Sequence, residues 1–353
     1  MKKLFVCALA VGMFTACSQD ETIEMQSPMQ ISFEGAYVEN ATRAAEDPSF
    51  SNTIGHPIEL KGFDVWAFMD ERNGKVFEGE DVTKTTTENT TKWTYHNTQY
   101  WLPNHTYYFG ALAPMNSNNW SVNTNTTAKL GIGEVTFTNI NGKEDLIYAA
   151  TAVTTGSNLS DMPAQAIKLH FGHLLSKVKF SFKNGFTNAN NYLKVENITM
   201  QVPSKGSINL DSDSWWKDET VATWTLAQGE NPTTLSFGHM AFGNKIAVGE
   251  STECDYECLT IPASANQSYL VTFKVTLYNG ELEALTRNLS TTITGAQLRM
   301  GYAYNFIAVL DPTNIAEDKL KPIEFEVVEI KDWIEPNEYN GDVIDTEKID
   351  SNN

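Results

Sequence analysis

Apolar and polar residues alternate with a period of two along most of the chain. In "KVKFSFK" (177–183), Val178, Phe180 and Phe182 fall on one side and Lys177, Lys179, Ser181 and Lys183 on the other. "YLVTFKVTLYNG" (269–280) sets Leu270, Thr272, Lys274 and Thr276 against Val271, Phe273, Val275 and Leu277, then ends in a hairpin signal. "GFDVWAFM", "KVENITMQV" and "YAYNFIAVL" add β-branched and aromatic runs between Gly, Asn, Pro and Ser breaks. Successive side chains of a strand point to opposite faces. Such runs therefore predict half-buried strands, and their recurrence between turn signals predicts β-sandwiches. No strong helical pattern competes. "TKTTTENTTK" (83–92) and "NSNNWSVNTNTTAK" (116–129) read as loops, too polar to bury.

The chain's 353 residues suffice for two domains. Polar "TTGSNLSDMPAQ" precedes the long β run that begins "IKLHFGHLLSKVKFSF", which places a division at 165/166. The expected fold is all-β, with one sandwich over 44–165, a second over 166–336, and a polar, disordered tail at 337–353. At the other end, Lys2 and Lys3 precede the apolar "LFVCALAVGMF" and the small-residue "FTAC". Residues 1–16 read as a signal peptide, too short to span a membrane. Cys17 stands where a bacterial lipobox puts its lipidated cysteine, and 17–28 then reads as a tether; ordinary signal-peptidase cleavage is the alternative. Acyl chains on Cys17 would anchor the chain, each buried CH₂ contributing about 0.8 kcal/mol.

Composition narrows the chemistry. A formal net charge of −19 excludes a basic nucleic-acid footprint. Apart from Cys7 and Cys17, only Cys254 and Cys258 remain, in "CDYEC". Four residues apart on an extended strand they lie too far from each other to bridge, but in a turn they could pair. A local disulfide or two free thiols fit better than a metal, which needs more ligands nearby. His170 and His173 form an H-x-x-H whose members point to opposite strand faces, one packed and one at an edge. Trp215 and Trp216 in "DSDSWWKDET" either cover a core edge or stack on a sugar ring. No catalytic motif or cofactor-binding signature occurs, so no enzyme activity and no cofactor are expected.

The segment "MQISFEGAYVENATRAAEDPSF" (29–50) joins a strand of core quality to a polar linker containing Arg43. Ile31, Phe33, Gly35 and Tyr37 share one face, with Ser32, Glu34, Ala36 and Val38 on the other. Near the C-terminus, Ile323, Phe325 and Val327 share a face opposite Glu324 and Glu326, so "ISFEG" and "IEFEV" present the same short pattern. Adjacent Val327 and Val328 break the phase, which suggests a bulge or a change of face.

Several segments together resemble a known family. "YWLPNHTYYFGALAP" fits W-x-P-x₃-Y-x-F-x-A-x₂-P through Trp101, Pro103, Tyr107, Phe109, Ala111 and Pro114. With "FGHLLSKVKF", "LTIPASANQSYLVTFKVTL", "LRMGYAYNFIAVLDPTNI", "FEVVEIKDW" and the lipobox, it makes the chain similar to the fimbrillin lipoproteins of Bacteroidota, subunits of type V pili. "QDE" after Cys17 also resembles the surface-export signal of lipoproteins in that phylum. The resemblance implies two transthyretin-like sandwiches in tandem and export to the outer membrane as a lipid-anchored precursor. It further implies cleavage by an arginine-specific surface protease after Arg43, before Ala44. The strand lost would be about 29–38, within the N-terminal segment 29–43. Its replacement would be a neighbouring subunit's strand, about 321–333, which includes Trp333. The implied partners are other fimbrial subunits and the implied location is the cell-surface fimbria. A fimbrial tip adhesin, or a surface glycan-binding lipoprotein using Trp215 and Trp216, is the second reading.

Overall fold

The computed structural model describes residues 28–38, 58–70, 74–87, 90–124, 132–210, 223–240, 244–316 and 321–330. The chain is all-β. Its N-terminal half supplies β1 (Phe33–Val38), β2 (Ile58–Glu59), β3 (Gly62–Met69), β4 (Gly74–Thr87) and β5 (Thr90–Thr94). Then come β6 (Thr106–Ala113), β7 (Trp120–Asn123), β8 (Gly133–Thr138), β9 (Ile147–Thr154) and β10 (Ile167–His173). Eight of these form one sheet among the described residues, in the order β2-β1-β10-β9-β6-β3-β4-β5. All neighbours are antiparallel except β1 and β10, which run parallel.

The central strands of this sheet are buried on both faces, so they read as nearly continuous apolar runs. In β3, Phe63, Val65 and Ala67 enter one core, shared with Phe109, Ile147, Ile167, Leu169 and Phe171. Trp66 and Phe68 enter a second core on the opposite face, with Leu112, Tyr148, Val135, Phe137, Ile208 and Leu210. Gly110 in β6 allows the close approach there: a Cβ on it would lie 2.2 Å from Ile132 Cγ2.

The C-terminal half contributes β11 (Ser176–Asn184), β12 (Asn191–Val202), β13 (Lys205–Leu210), β14 (Trp224–Leu226) and β15 (Thr233–Gly238). After these come β16 (Ser251–Glu253), β17 (Cys258–Thr260), β18 (Tyr269–Asn279), β19 (Leu282–Ile293), β20 (Ala303–Leu310), the short α1 (Pro312–Ile315) and β21 (Phe325–Ile330). A sheet ordered β16-β11-β20-β21, with β17 also on β11, faces a sheet ordered β15-β12-β18-β19. Val178, Phe180, Phe182, Val271, Phe273, Val275 and Phe306 fill the space between them. The alternation in β11 and β18 thus has the expected sense. Four polar residues of β11 are nonetheless buried, Ser176, Lys177, Ser181 and Asn184; Lys177 pairs with Glu257 at 3.1 Å, and Ser181 hydrogen-bonds Asn305 at 3.0 Å.

A fourth sheet, β14-β13-β8-β7, takes strands from both halves of the chain. Its β8–β13 pairing runs unbroken from Lys205↔Thr138 to Leu210↔Gly133. Strand β10, beyond the expected division at 165/166, bonds to β1 and β9, and the chain crosses to the other sandwich at Leu174–Leu175.

Both polar stretches read as loops contain strands. "TKTTTENTTK" is the end of the β4–β5 hairpin, pairing Thr83↔Thr94 through Thr87↔Thr90. Threonine is β-branched and suits an extended backbone whether or not its face is buried. In the second stretch, Trp120 opens β7, stacks edgewise on Trp66 at 6.1 Å and donates Nε1–H to the Pro114 carbonyl.

Asp64 of β3 lies in register with Asp81 of β4 and is buried at 6% exposure. Burial, and secondarily Asp81, push its carboxyl up from 3.8 to about 7, against the lowering effect of the Asn116 N–H. A carboxyl raised by folding stabilises the fold below its unfolded value, and that stability is lost as pH rises through the folded value. Asp64→Asn keeps an acceptor for the Asn116 N–H and removes the charge. The variant is expected to melt above wild type at pH 8 and to converge with it near pH 4. Thermal unfolding across that range checks this; an equal offset at every pH would contradict it.

Candidate functional site

The site is the seat of the N-terminal segment. Met29 and Ile31 pair with residues 99–101: Ile31 N–H donates to the Gln99 carbonyl and Trp101 N–H to the Met29 carbonyl, both at 2.9 Å. The Tyr95 hydroxyl donates to the Ile31 carbonyl. On its other side, Ser32 accepts from Ile167 N–H at 2.8 Å, and β1 continues in parallel along β10. Glu34 meets Lys168 at 3.7 Å on the surface, where an ion pair contributes only about 0–1 kcal/mol.

Apolar contacts hold the segment more firmly. Ile31 is fully buried and Phe33 is 5% exposed. The Phe33 ring lies 5.6 Å from Phe63, 5.9 Å from both Phe77 and Tyr95, and 6.2 Å from Phe109, mostly edge-to-face. Burying two such side chains contributes about 1.5–3 kcal/mol each. The "YWLPNHTYYF" turn shapes the wall: buried Trp101 packs on Tyr107 at 4.7 Å, and the Tyr107 hydroxyl accepts from Leu102 N–H. Tyr95 and the 99–101 backbone were not expected to take part. The alternation of Trp93 and Tyr95 is the signal that could have pointed to the tyrosine; nothing local marks the backbone contacts.

The register of β1 shifts between Glu34 and Tyr37, pairing Tyr37 with His170 and Val38 with Phe171 along β10. A bulge or a change of face was expected at Val327–Val328; the β20–β21 register there runs without a bulge from Ala308↔Phe325 to Ala303↔Ile330. In that segment Ile323 is buried, with its carbonyl accepting from Thr291 Oγ1 at 2.9 Å. Phe325 packs on Phe180 at 5.4 Å and Phe182 at 5.8 Å. Val327 and Val328 are both exposed, at 39% and 38%. β21 ends its sheet, so one of its edges is unpaired among the described strands.

Other candidates separate clearly. His173 is buried with Nδ1 2.6 Å from Asp145, whereas His170 is half-buried, and β10 sends them to opposite faces. Cys254 and Cys258 are free thiols; burial pushes them up to about 11 and about 12. No group of three or more metal-ligating side chains occurs among the described residues. Cys17, Arg43, Ala44, Trp215, Trp216 and Trp333 lie outside the described residues.

A family model described as fimbrillin-like matches residues 42–333. The chain belongs to the fimbrillin-like family. Among solved structures, this fimbrillin-like chain is similar to a fimbrial protein from Bacteroides vulgatus at 13% identity and a TM-score of 0.49, covering 76% of this chain and 92% of that one. A protein from Bacteroides ovatus named for cell adhesion matches at 14% identity and a TM-score of 0.45, covering 87% and 98%. The fimbrial anchor protein Mfa2 from Porphyromonas gingivalis matches at 15% identity and 0.34, covering 86% and 97%. No curated protein sequence matches significantly.

Proposed function

We propose that this fimbrillin-like chain is a structural subunit of a cell-surface fimbria, exported as a lipoprotein through Cys17 and polymerised by cleavage after Arg43 followed by strand exchange. The observation that carries this reading is the seating of Ile31 and Phe33. Two core side chains belong to a segment whose sequence connection to β2 runs through residues 39–57, which include Arg43. The family match begins at residue 42, beside that arginine.

The energetics follow from connectivity. While the link is intact, the strand competes from within the molecule at an effective concentration of about millimolar. Cleavage turns its departure into a dissociation and opens main-chain donors and acceptors on β10 and residues 99–101. A second subunit's strand can then add to the sheet, as in other β-augmentation. Segment 321–333 is the donor in this reading. It repeats the Ile-x-Phe-Glu pattern of 31–34 and lies on an edge strand, and the valines after Phe325 are exposed.

Arg43→Ala is expected to leave a folded monomer and abolish polymer, with the mature N-terminus remaining at Cys17 instead of Ala44. N-terminal analysis of surface material, together with a polymer ladder on unheated gels, reads both. Normal fibres from the variant would overturn the proposal.

A further inference from the structure

Besides the strand seat, the structure contains a cleft of about 400 Å³ where the fourth sheet meets the C-terminal sandwich. That volume falls within the usual range for small-ligand sites, about 300–1,000 Å³. Its walls are the β12–β13 turn at Val202–Ser204, the β14–β15 turn at Ala227–Pro232, and Gln267–Ser268 ahead of β18. The turn walls are tied down: Asn139 N–H donates to the Ser204 carbonyl at 2.7 Å, and Ala227 N–H to the Lys205 carbonyl at 3.0 Å. Gly229 takes φ +79°, a left-handed conformation that glycine adopts without a Cβ penalty.

The lining has a distinct chemistry. Gln201, Gln228 and Gln267 line the cleft together with Ser204, Ser268 and Thr292; Gln228 Nε2 donates to the Leu226 carbonyl at 3.4 Å and Gln267 Nε2 to the Ser268 carbonyl at 3.0 Å, which leaves both amide oxygens as acceptors. Amides and hydroxyls both donate and accept, which complements sugar hydroxyls, themselves donors and acceptors. Pro203, Pro232 and Leu270 supply apolar patches for the C–H faces of a ring. Among the described residues, no lysine, arginine or histidine lines the cleft, so a phosphate, sulfate or carboxylate would find no countercharge from them; the one charged group among them is Glu230.

We propose that this cleft is a binding site for neutral carbohydrate. Glu230 directs it away from acidic sugars. The cleft lies at the start of β13 and the end of β14, the opposite ends from those joined by the segment carrying Trp215 and Trp216. Without an aromatic platform among the described lining residues, a single site binds weakly. Repetition along a fimbria would convert weak sites into avidity, which can exceed single-site affinity by about 10²–10⁴-fold. That gain rests on the polymer reading, whereas binding to the monomer does not.

The test uses the full uncleaved chain as a monomer, titrated with galactose, glucose, mannose and N-acetylglucosamine by saturation-transfer NMR. The expected result is saturable, millimolar binding of at least one sugar, with sialic acid and glucose 6-phosphate inactive. Hydrogen exchange of the 226–232 turn should slow on addition of the bound sugar. Gln201→Ala combined with Gln228→Ala, checked for an unchanged melting temperature, should weaken binding at least about tenfold, the loss of roughly 1.4 kcal/mol. No saturable binding of any neutral sugar, or binding that neither protects the turn nor responds to the double variant, would overturn the proposal. Preferential binding of the acidic sugars would overturn it as well. Failure of the chain to polymerise would leave the monomer result intact, so the two readings fail separately.

Discussion

Phe33→Ala in the uncleaved chain is expected to lower stability by about 3–5 kcal/mol, the usual cost of removing a buried aromatic ring. For a unit of this size that is a fall in melting temperature on the order of 10 °C. The cost is high because Phe33 touches four rings, Phe63, Phe77, Tyr95 and Phe109, brought together from β3, β4, the segment after β5, and β6. The cavity left cannot close from one side. Loss should concentrate in the N-terminal segment: amide exchange of residues 31–38 should accelerate more than that of β3 or β6. A synthetic peptide spanning 321–333 should then enter the uncleaved variant more readily than wild type, because the covalently tethered competitor is weaker. A variant that melts with wild type would contradict this account of the seat. One that melts lower while 31–38 stays as protected as before would locate the damage elsewhere.

Phe180→Ala is the counterpart in the second sandwich, with a similar expected cost of about 3–5 kcal/mol. Phe180 is fully buried and meets Phe237 at 4.7 Å, Phe325 at 5.4 Å and Phe306 at 5.5 Å. Each aromatic pair adds about 0.5–1.5 kcal/mol beyond its buried area. Phe325 is only half-buried and Val327 and Val328 are exposed, so among the described side chains of β21 the apolar contacts fall to Phe325. Removing its ring partner should free β21 before β12 or β18. Hydrogen exchange resolved by segment would show this order; uniform acceleration through the sandwich would argue that β21 is not the least-held strand.

Which strands were legible in the sequence depended on whether burial was one-sided. "KVKFSFK" and "YLVTFKVTLYNG" alternate because one face meets a core, and both sit as their patterns require. "TKTTTENTTK" misled because an exposed hairpin needs no apolar face; its threonines favour extended backbone and its ladder bonds supply the rest. The Ile31 and Phe33 positions were legible for the same reason as β11. The register shift beyond Glu34 was not, because it is set by the match to β10, more than 130 residues away in sequence.

The sequence by itself determined that the chain is all-β, which side of most strands is apolar, and that a core-quality strand precedes Arg43. These depend on side-chain period, a property of neighbouring residues. Only the tertiary structure decided that β1 lies parallel to β10, that β8 pairs with β13 across the two halves, and that β21 ends a sheet with its valines exposed. It also decided that Gln201, Gln228 and Gln267 line one cleft. Each of these requires segments distant in the chain to meet, and strand pairing leaves no mark in the local period that would name the partner.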